Sequence, residues 1–427
     1  MLRGNRLIIV ALLLLAQWGV FAQNNANSPY TRFGYGNLAE RSFGAGRAMG
    51  GVGIGVRDSK QINPMNPASY SAMDSLTFLF DFGVYMQIGK FSDGTNRDQK
   101  LNGNIEYFAL QFPITRWLAM SAGLQPYSFV GYSYGSLESI GDTQYSNQYS
   151  GTGGLNEVFL GLSVDIWKKR LAVGANIGYL FGNITHSQNL QFSGSNAYTT
   201  ARSQRLEVRD MKLDFGIQYT HPLSATDKIT LGLTYSPANS LNAKSYNVLQ
   251  RYNSSSSTVV EAESDTIQGL ATDLPNSYGI GLSFVRENKV KVAADFLYET
   301  WDKASYLGET GKFQNRKKVA AGVEYIPAYN QKLYFSRIRY RAGFHYSNSY
   351  LNIPMTEGDV QRNYGYNEYG ATVGFGFPLI DNRSFINFAF EYVKVKPEMP
   401  TMITEQYFRF TLSYAFNELW FFKRKVD

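Results

Sequence analysis

Few residues in this 427-residue chain could do covalent or metal chemistry. There are three histidines, His186, His221 and His345, and no cysteine. A thiolate metal site is therefore excluded, and three scattered histidines argue against a transition-metal centre. Nucleophilic catalysis needs a nucleophile or activated water beside a general base. No serine, histidine and acid declare themselves by spacing, and no EF-hand-like run of carboxylates appears. The expectation is a protein that is not an enzyme and needs no cofactor.

Charges at regular spacing are the stronger signal. In "RIRYRAGFHYS", Arg337, Arg339, Arg341 and His345 alternate with Ile338, Tyr340, Phe344 and Tyr346. "KVKVAADFLYET" sets Asp295 and Glu299 opposite Val290, Val292, Phe296 and Tyr298. "FRFTLSYAF" sets Arg409 opposite Phe408, Phe410, Leu412, Tyr414 and Phe416. Period two means strands, each with one apolar face and one that needs water or counter-charges. Arg337, Arg339, Arg341 and Arg409 would then share an interior with Asp295, Glu299 and Glu391. Confined arginines pair with carboxylates or with bound anions. Two readings follow: an ion-paired filling that stiffens and blocks the interior, or a polar wall that guides an anionic headgroup.

The elements that must position this wall recur to the C-terminus. Strands are expected near 78–88, 104–113, 117–134, 155–167, 170–187, 206–222, 228–249, 276–286, 289–303, 315–326, 337–350, 366–377, 384–396 and 404–416, about fourteen in all. Short turns ("WKKR", "RENK" and those near Pro113, Pro222, Pro327 and Pro378) alternate with long polar segments at 89–103, 135–154, 188–205, 250–275, 304–314 and 351–365. A soluble sandwich has no reason to alternate its connections this way. The pattern predicts an all-β fold, a transmembrane antiparallel β-barrel in the outer membrane, with short turns periplasmic and long loops extracellular. Aromatics make up 15% of the chain, and Trp117, Trp167, Trp301 and Trp420 near strand ends suit interfacial girdles. Several strands exceed the roughly 9–11 residues a membrane crossing needs, so the barrel should extend past the outer leaflet. The net charge of +7 is scattered, which argues against a nucleic-acid partner.

Residues 1–22 read as a signal peptide, with Arg3 and Arg6 before an apolar run from Leu7 to Ala16. Residues 77–416 are the expected barrel, and 417–427 ("NELWFFKRKVD") a basic periplasmic tail, unless Leu419 to Phe422 prolong the last strand. Residues 23–76 are left for an N-terminal element, and within them lies "GAGRAMGGVGIGVRDSKQINPMNPASY". Its glycines lack the spacing and the preceding strand of a phosphate loop. Met49, Val52, Ile54, Val56 and Ile62 are too apolar for a flexible linker. A small, apolar, turn-rich segment suits a hatch folded inside the barrel lumen.

These residues resemble the FadL/OmpP1/TodX family of outer-membrane transporters. The hatch of that family has a Gly-Arg-Ala and Gly-rich run followed by Asn-Pro-Ala, matched here by Gly46, Arg47, Ala48, Gly50, Gly51, Asn66, Pro67 and Ala68. "LPNSYGIGLSF", "KKVAAGVEYIP" and "IRYRAGFHYS" follow in the family's order. Arg57 and Lys60 replace the acidic, Ala-rich stretch usual before Asn-Pro-Ala. The resemblance implies passive uptake of long-chain fatty acids or other hydrophobic molecules, released sideways into membrane lipid through a gap in the wall. Pro126, inside strand 117–134, is the candidate for that gap, since proline removes a ladder hydrogen bond. The resemblance also covers non-transporting PorV-like barrels that serve as protein partners in outer-membrane secretion or assembly complexes.

Overall fold

A computed structural model describes residues 26–420, apart from 141–142, 168, 194–197, 254–255, 257, 330, 358 and 380–381. The expected signal peptide and residues 421–427 of the expected tail lie outside the described residues.

Fourteen antiparallel strands close a barrel among the described residues. They are β1 (Thr77–Ser92), β2 (Arg97–Pro113), β3 (Leu118–Ile140), β4 (Thr143–Trp167), β5 (Leu171–Phe192) and β6 (Tyr198–Pro222). Next come β7 (Asp227–Ser236, prolonged by Ala243–Asn253) and β8 (Ser277–Arg286, preceded by Val259–Gln268). The rest are β9 (Val290–Glu299), β10 (Arg316–Tyr325), β11 (Arg339–Asn348), β12 (Tyr366–Pro378), β13 (Phe385–Pro397) and β14 (Thr404–Leu419). Closure is the pairing of β1 with β14, from Thr77↔Leu419 to Ser92↔Thr404. Closure removes the free edges of the sheet, where an unpaired backbone group in the bilayer is costly, except where the β2–β3 ladder stops short.

The alternation seen in the sequence sorts as expected. Along β14, Tyr407, Thr411, Ser413 and Ala415 are buried inside, while Phe408 faces out and is exposed. Along β9, Lys291, Ala293 and Asp295 are buried, and Val292 and Phe296 are exposed. Trp117, Trp167 and Trp420 are about half exposed at the short-turn end, as a lipid-facing girdle requires.

Four expectations about the elements are corrected. The segments at 89–103, 135–154 and 188–205 are mostly strand rather than loop: β3 to β6 run for 23, 25, 22 and 25 residues, against 10 for each of β9 to β11. Beyond the membrane both faces of a strand are wet, so the apolar half of the period-two signal disappears while the ladder continues. The connection after Pro327 is not short. It holds a 3-10 turn at Tyr334–Arg337, and β11 starts only at Arg339. Trp301 is fully buried, far from any girdle role. The last strand also runs to Leu419, three residues past its expected end.

The long loops at 300–315 and 349–365 fold inward over the lumen. Trp301, Phe313, Tyr350 and Leu351 form one apolar core with Tyr35 of the N-terminal segment and with the inner faces of β3 to β6. Ring centroids of Trp301 and Tyr350 are 4.7 Å apart, and those of Trp301 and Phe313 5.3 Å.

Candidate functional site

The lumen below that aromatic seal is filled by residues 26–76. The chain enters through a 3-10 turn at Pro29–Arg32 and runs beside β3 as a two-residue strand, Asn37–Leu38. It then forms the single turn α1 (Gly44–Arg47) and a second 3-10 turn at Pro67–Ala72.

Glycine lets this backbone touch the wall. Gly50 has φ +77°, which a side chain would strain, and its N–H donates to Thr372 Oγ1 at 2.9 Å. From the wall, a Cβ on Gly343 would lie 2.2 Å from Gly50 N, so this contact admits no side chain. The Asn-Pro step is a hydrogen-bond junction. Asn66 caps the 3-10 turn by accepting from Ala68 N at 3.1 Å, and its Nδ2 donates to Ile54 O at 2.9 Å. Its neighbour Ala68 offers its carbonyl to Ser163 of β4 at 2.9 Å.

Charge pins the segment on several sides. Arg47 pairs with Glu106 of β2, and Arg41 with Asp214 of β6 at 2.7 Å. Glu40 pairs with Lys318 of β10, and Asp58 with Lys291 of β9. Asp295 of β9 accepts from three successive backbone N–H groups, Gly53 at 2.6 Å, Ile54 at 2.8 Å and Gly55 at 3.3 Å. Burial alone would push the Glu40 carboxyl up, but Lys318 and Arg47 beside it hold it down at about 2. Breaking one partner of a buried pair costs about 3–5 kcal/mol, so withdrawing this segment would expose several such costs at once.

The charged wall residues singled out in the sequence occupy different places. Arg341 bonds Glu324 and Asn387, both at 2.7 Å, and Arg339 lies over Phe385 with Glu324 at 3.5 Å. Arg409 bonds Gln87 at 2.7 Å and sits 3.4 Å from Glu391. Glu299 takes Arg316 at 3.3 Å and the Trp301 indole N–H at 3.1 Å. Arg337 is not in the lumen. It lies in the 3-10 turn at the short-turn end, bonded to Asn382, because the strand begins two residues later than its alternation implied. Arg57 donates to Ala68 O within the segment at 2.7 Å and lies 3.9 Å from Asp165 of β4, and Lys60 faces the Tyr329 ring of the β10–β11 connection. Of the histidines, His186 meets Tyr132 OH at 2.8 Å, His221 is exposed, and His345 faces the lumen.

Two cavities of unequal size flank the Leu38–Glu40 stretch. The larger carries four carboxylates, Glu40, Glu106, Glu368 and Glu391. It also carries four cations, Arg47, Arg316, Lys318 and Arg409, so its fixed charge balances. It reaches the wall at Pro126 and Phe129. There the β2–β3 ladder covers only Phe108↔Leu124 to Pro113↔Ala119. Two bulges flank its end. Register shifts by one residue at Glu106 on β2 and at Tyr127 on β3, beside Pro126. Above it, the edge of β3 is taken by Asn37↔Phe129 and Leu38↔Ser128. Glu106, Asp214, Lys318 and Asp58 were not singled out in the sequence, although Lys318 does sit on an alternating strand.

A family model described as BamG matches residues 4–427. The chain belongs to the BamG family. The fold of this BamG-family barrel is shared with solved outer-membrane channels. The Pseudomonas putida toluene transporter TodX is 16% identical with a TM-score of 0.61, covering 90% of this chain and 100% of its own. A Pseudomonas aeruginosa FadL homologue is 14% identical with a TM-score of 0.58, covering 89% and 99%. The Ralstonia pickettii toluene transporter TbuX is 16% identical with a TM-score of 0.57, covering 88% and 98%. No curated protein matches the sequence. At such identities the likeness speaks for the fold: a closed, FadL-like barrel of fourteen strands.

Proposed function

We propose that this BamG-family protein is a plugged barrel that serves as a structural subunit of a larger outer-membrane assembly or secretion complex. The observation that carries this reading is the double closure of the lumen. An aromatic core fills the long-loop end, and beneath it a hatch is held by ion pairs to β2, β6, β9 and β10. A passing ligand would have to displace both. The strands β3 to β6, with the prolongations Ala243–Asn253 of β7 and Val259–Gln268 of β8, extend beyond the others and offer a rigid surface to protein partners outside the membrane. Planar-bilayer conductance and co-purification from mild detergent test the proposal together. The expected result is no resting conductance and stoichiometric partner subunits. A lone monomer that conducts would overturn it.

One observation favours a second reading, passive uptake of long-chain fatty acids or other hydrophobic molecules with lateral release. The β2–β3 ladder ends beside Pro126, as a sideways exit would need. A dry lateral path spares an acyl chain about 0.8 kcal/mol per CH₂ otherwise lost to water. Loss of labelled oleate or toluene uptake on gene deletion, restored by the wild-type chain, would favour it over the structural role.

A further inference from the structure

The larger lumen cavity has a specific deficit. Each of its four cations has an acceptor: Arg47 with Glu106, Lys318 with Glu40, Arg316 with Glu299, and Arg409 with Gln87. The buried polar atoms in its lining that lack a hydrogen bond, among the described residues, are Glu106 Oε2, Glu391 Oε2 and His345 Nδ1. These side chains are 4%, 7% and 3% exposed. Two are acceptors outright. His345 lies between two carboxylates, with Nε2 3.4 Å from Glu368 Oε1 and Nδ1 3.8 Å from Glu391 Oε1. The nearest cation to Glu391 Oε2 is Arg409 Nη1, at 3.4 Å without hydrogen-bond geometry. The two carboxylate oxygens, Glu106 Oε2 and Glu391 Oε2, leave the cavity short of donors.

We infer that this cavity is a binding site for a primary ammonium group. An ammonium brings three N–H donors and no acceptor, which matches the deficit. A bare metal ion does not fit, since no trio of His, Asp and Glu among the described residues is close enough to hold one. A carboxylate does not fit either, because it would add acceptors to a cavity whose cations are already engaged. The route to the site points to a membrane source. The lining includes Pro126 and Phe129 of β3 and Glu106 of β2, where those strands stop pairing. An amphiphile lying in the bilayer could present its headgroup there while its chains stay in lipid. The inference is independent of whether the protein is a subunit or a channel.

The test uses the full-length protein, stripped of lipid by detergent exchange and followed by native mass spectrometry. It is titrated with dodecylammonium, dodecanoate, ethanolamine, and dioleoylphosphatidylethanolamine in nanodiscs. Dodecylammonium and the phospholipid should bind and dodecanoate should not. If ethanolamine binds as tightly as dodecylammonium, the source is a free amine; if it fails, the source is a lipid headgroup. Glu391→Gln should weaken dodecylammonium binding at least about tenfold, the loss of one charged hydrogen bond. If that variant loses its heat-modifiable barrel band, Glu106→Gln carries the same expectation. Equal binding of dodecanoate, no amine binding, or unchanged binding in the folded variant would overturn the inference.

Discussion

Asp295 offers the sharpest test of how the hatch is held. Its carboxylate receives Gly53 N, Ile54 N and Gly55 N, of which the first two bonds, at 2.6 and 2.8 Å, are short and the third, at 3.3 Å, is long. Hydrogen bonds to a charged group contribute about 1.5–3 kcal/mol each, so the two short ones give about 3–6 kcal/mol. Asp295→Ala removes them and leaves the three N–H groups facing a void. The barrel should survive, because β9 pairs along its whole length with β8 and with β10. The effect should therefore be local opening of the hatch rather than unfolding of the wall.

Hydrogen exchange on purified protein reads this directly. Protection at the amides of Gly53 and Ile54 should fall by about 10² to 10⁴-fold, while amides in β8 to β10 stay protected. Asp295→Asn keeps the shape and one acceptor oxygen, so it should fall between the two. Protection within tenfold of wild type in the alanine variant would refute the argument that Asp295 anchors the hatch. Equal loss across hatch and wall would refute the claim that the two open separately.

Other perturbations probe other parts of the same design. Gly343→Val places a branched side chain where Gly50 N sits 2.2 Å from a bare Cβ, and should cost about 1–3 kcal/mol of hatch docking, seen as new tryptic cleavage at Arg47 or Arg57. Trp301→Ala should cost about 3–5 kcal/mol of the outer aromatic core, measured as a lower midpoint in the heat-modifiability assay, with conductance still absent because the hatch lies beneath. Glu40 is held well below the ordinary carboxylate value by Lys318 and Arg47, against the upward push of its burial. Its contribution is therefore full above the unfolded pKa and lost as pH falls toward about 2. Exchange protection around Glu40 should be flat from pH 8 to about 5 and decline below about 4, and a decline already at pH 6 would contradict the pairing.

The barrel was legible because lipid on one side and packed polar groups on the other write a period of two into every crossing. Where one of those environments ends, so does the signal. The outer halves of β3 to β6 carry Ser, Thr, Asn and Gln on both faces and read as loops, although the ladder from Tyr145↔Phe192 downward is unbroken up to the bulge at Asp165. Trp301 looked like a girdle residue because its neighbours end a strand. Only the tertiary fold of loop 300–315 turns it inward. Arg337 keeps step with Arg339 and Arg341, so alternation alone points it into the lumen, and a 3-10 turn needs no break in that alternation. Glu106 shows the deepest limit. In strict alternation it shares a face with Phe108 and would point into lipid. The bulge that opposes Gly83 and Val84 to Tyr107 and Ile105 leaves Glu106 over and turns it inward to Arg47. A charge that seems to face lipid is thus a readable mark of a bulge, since a lipid-facing carboxylate would be costly. Here that mark falls on the strand beside Pro126, where the wall stops pairing with itself and the hatch takes up the edge of β3.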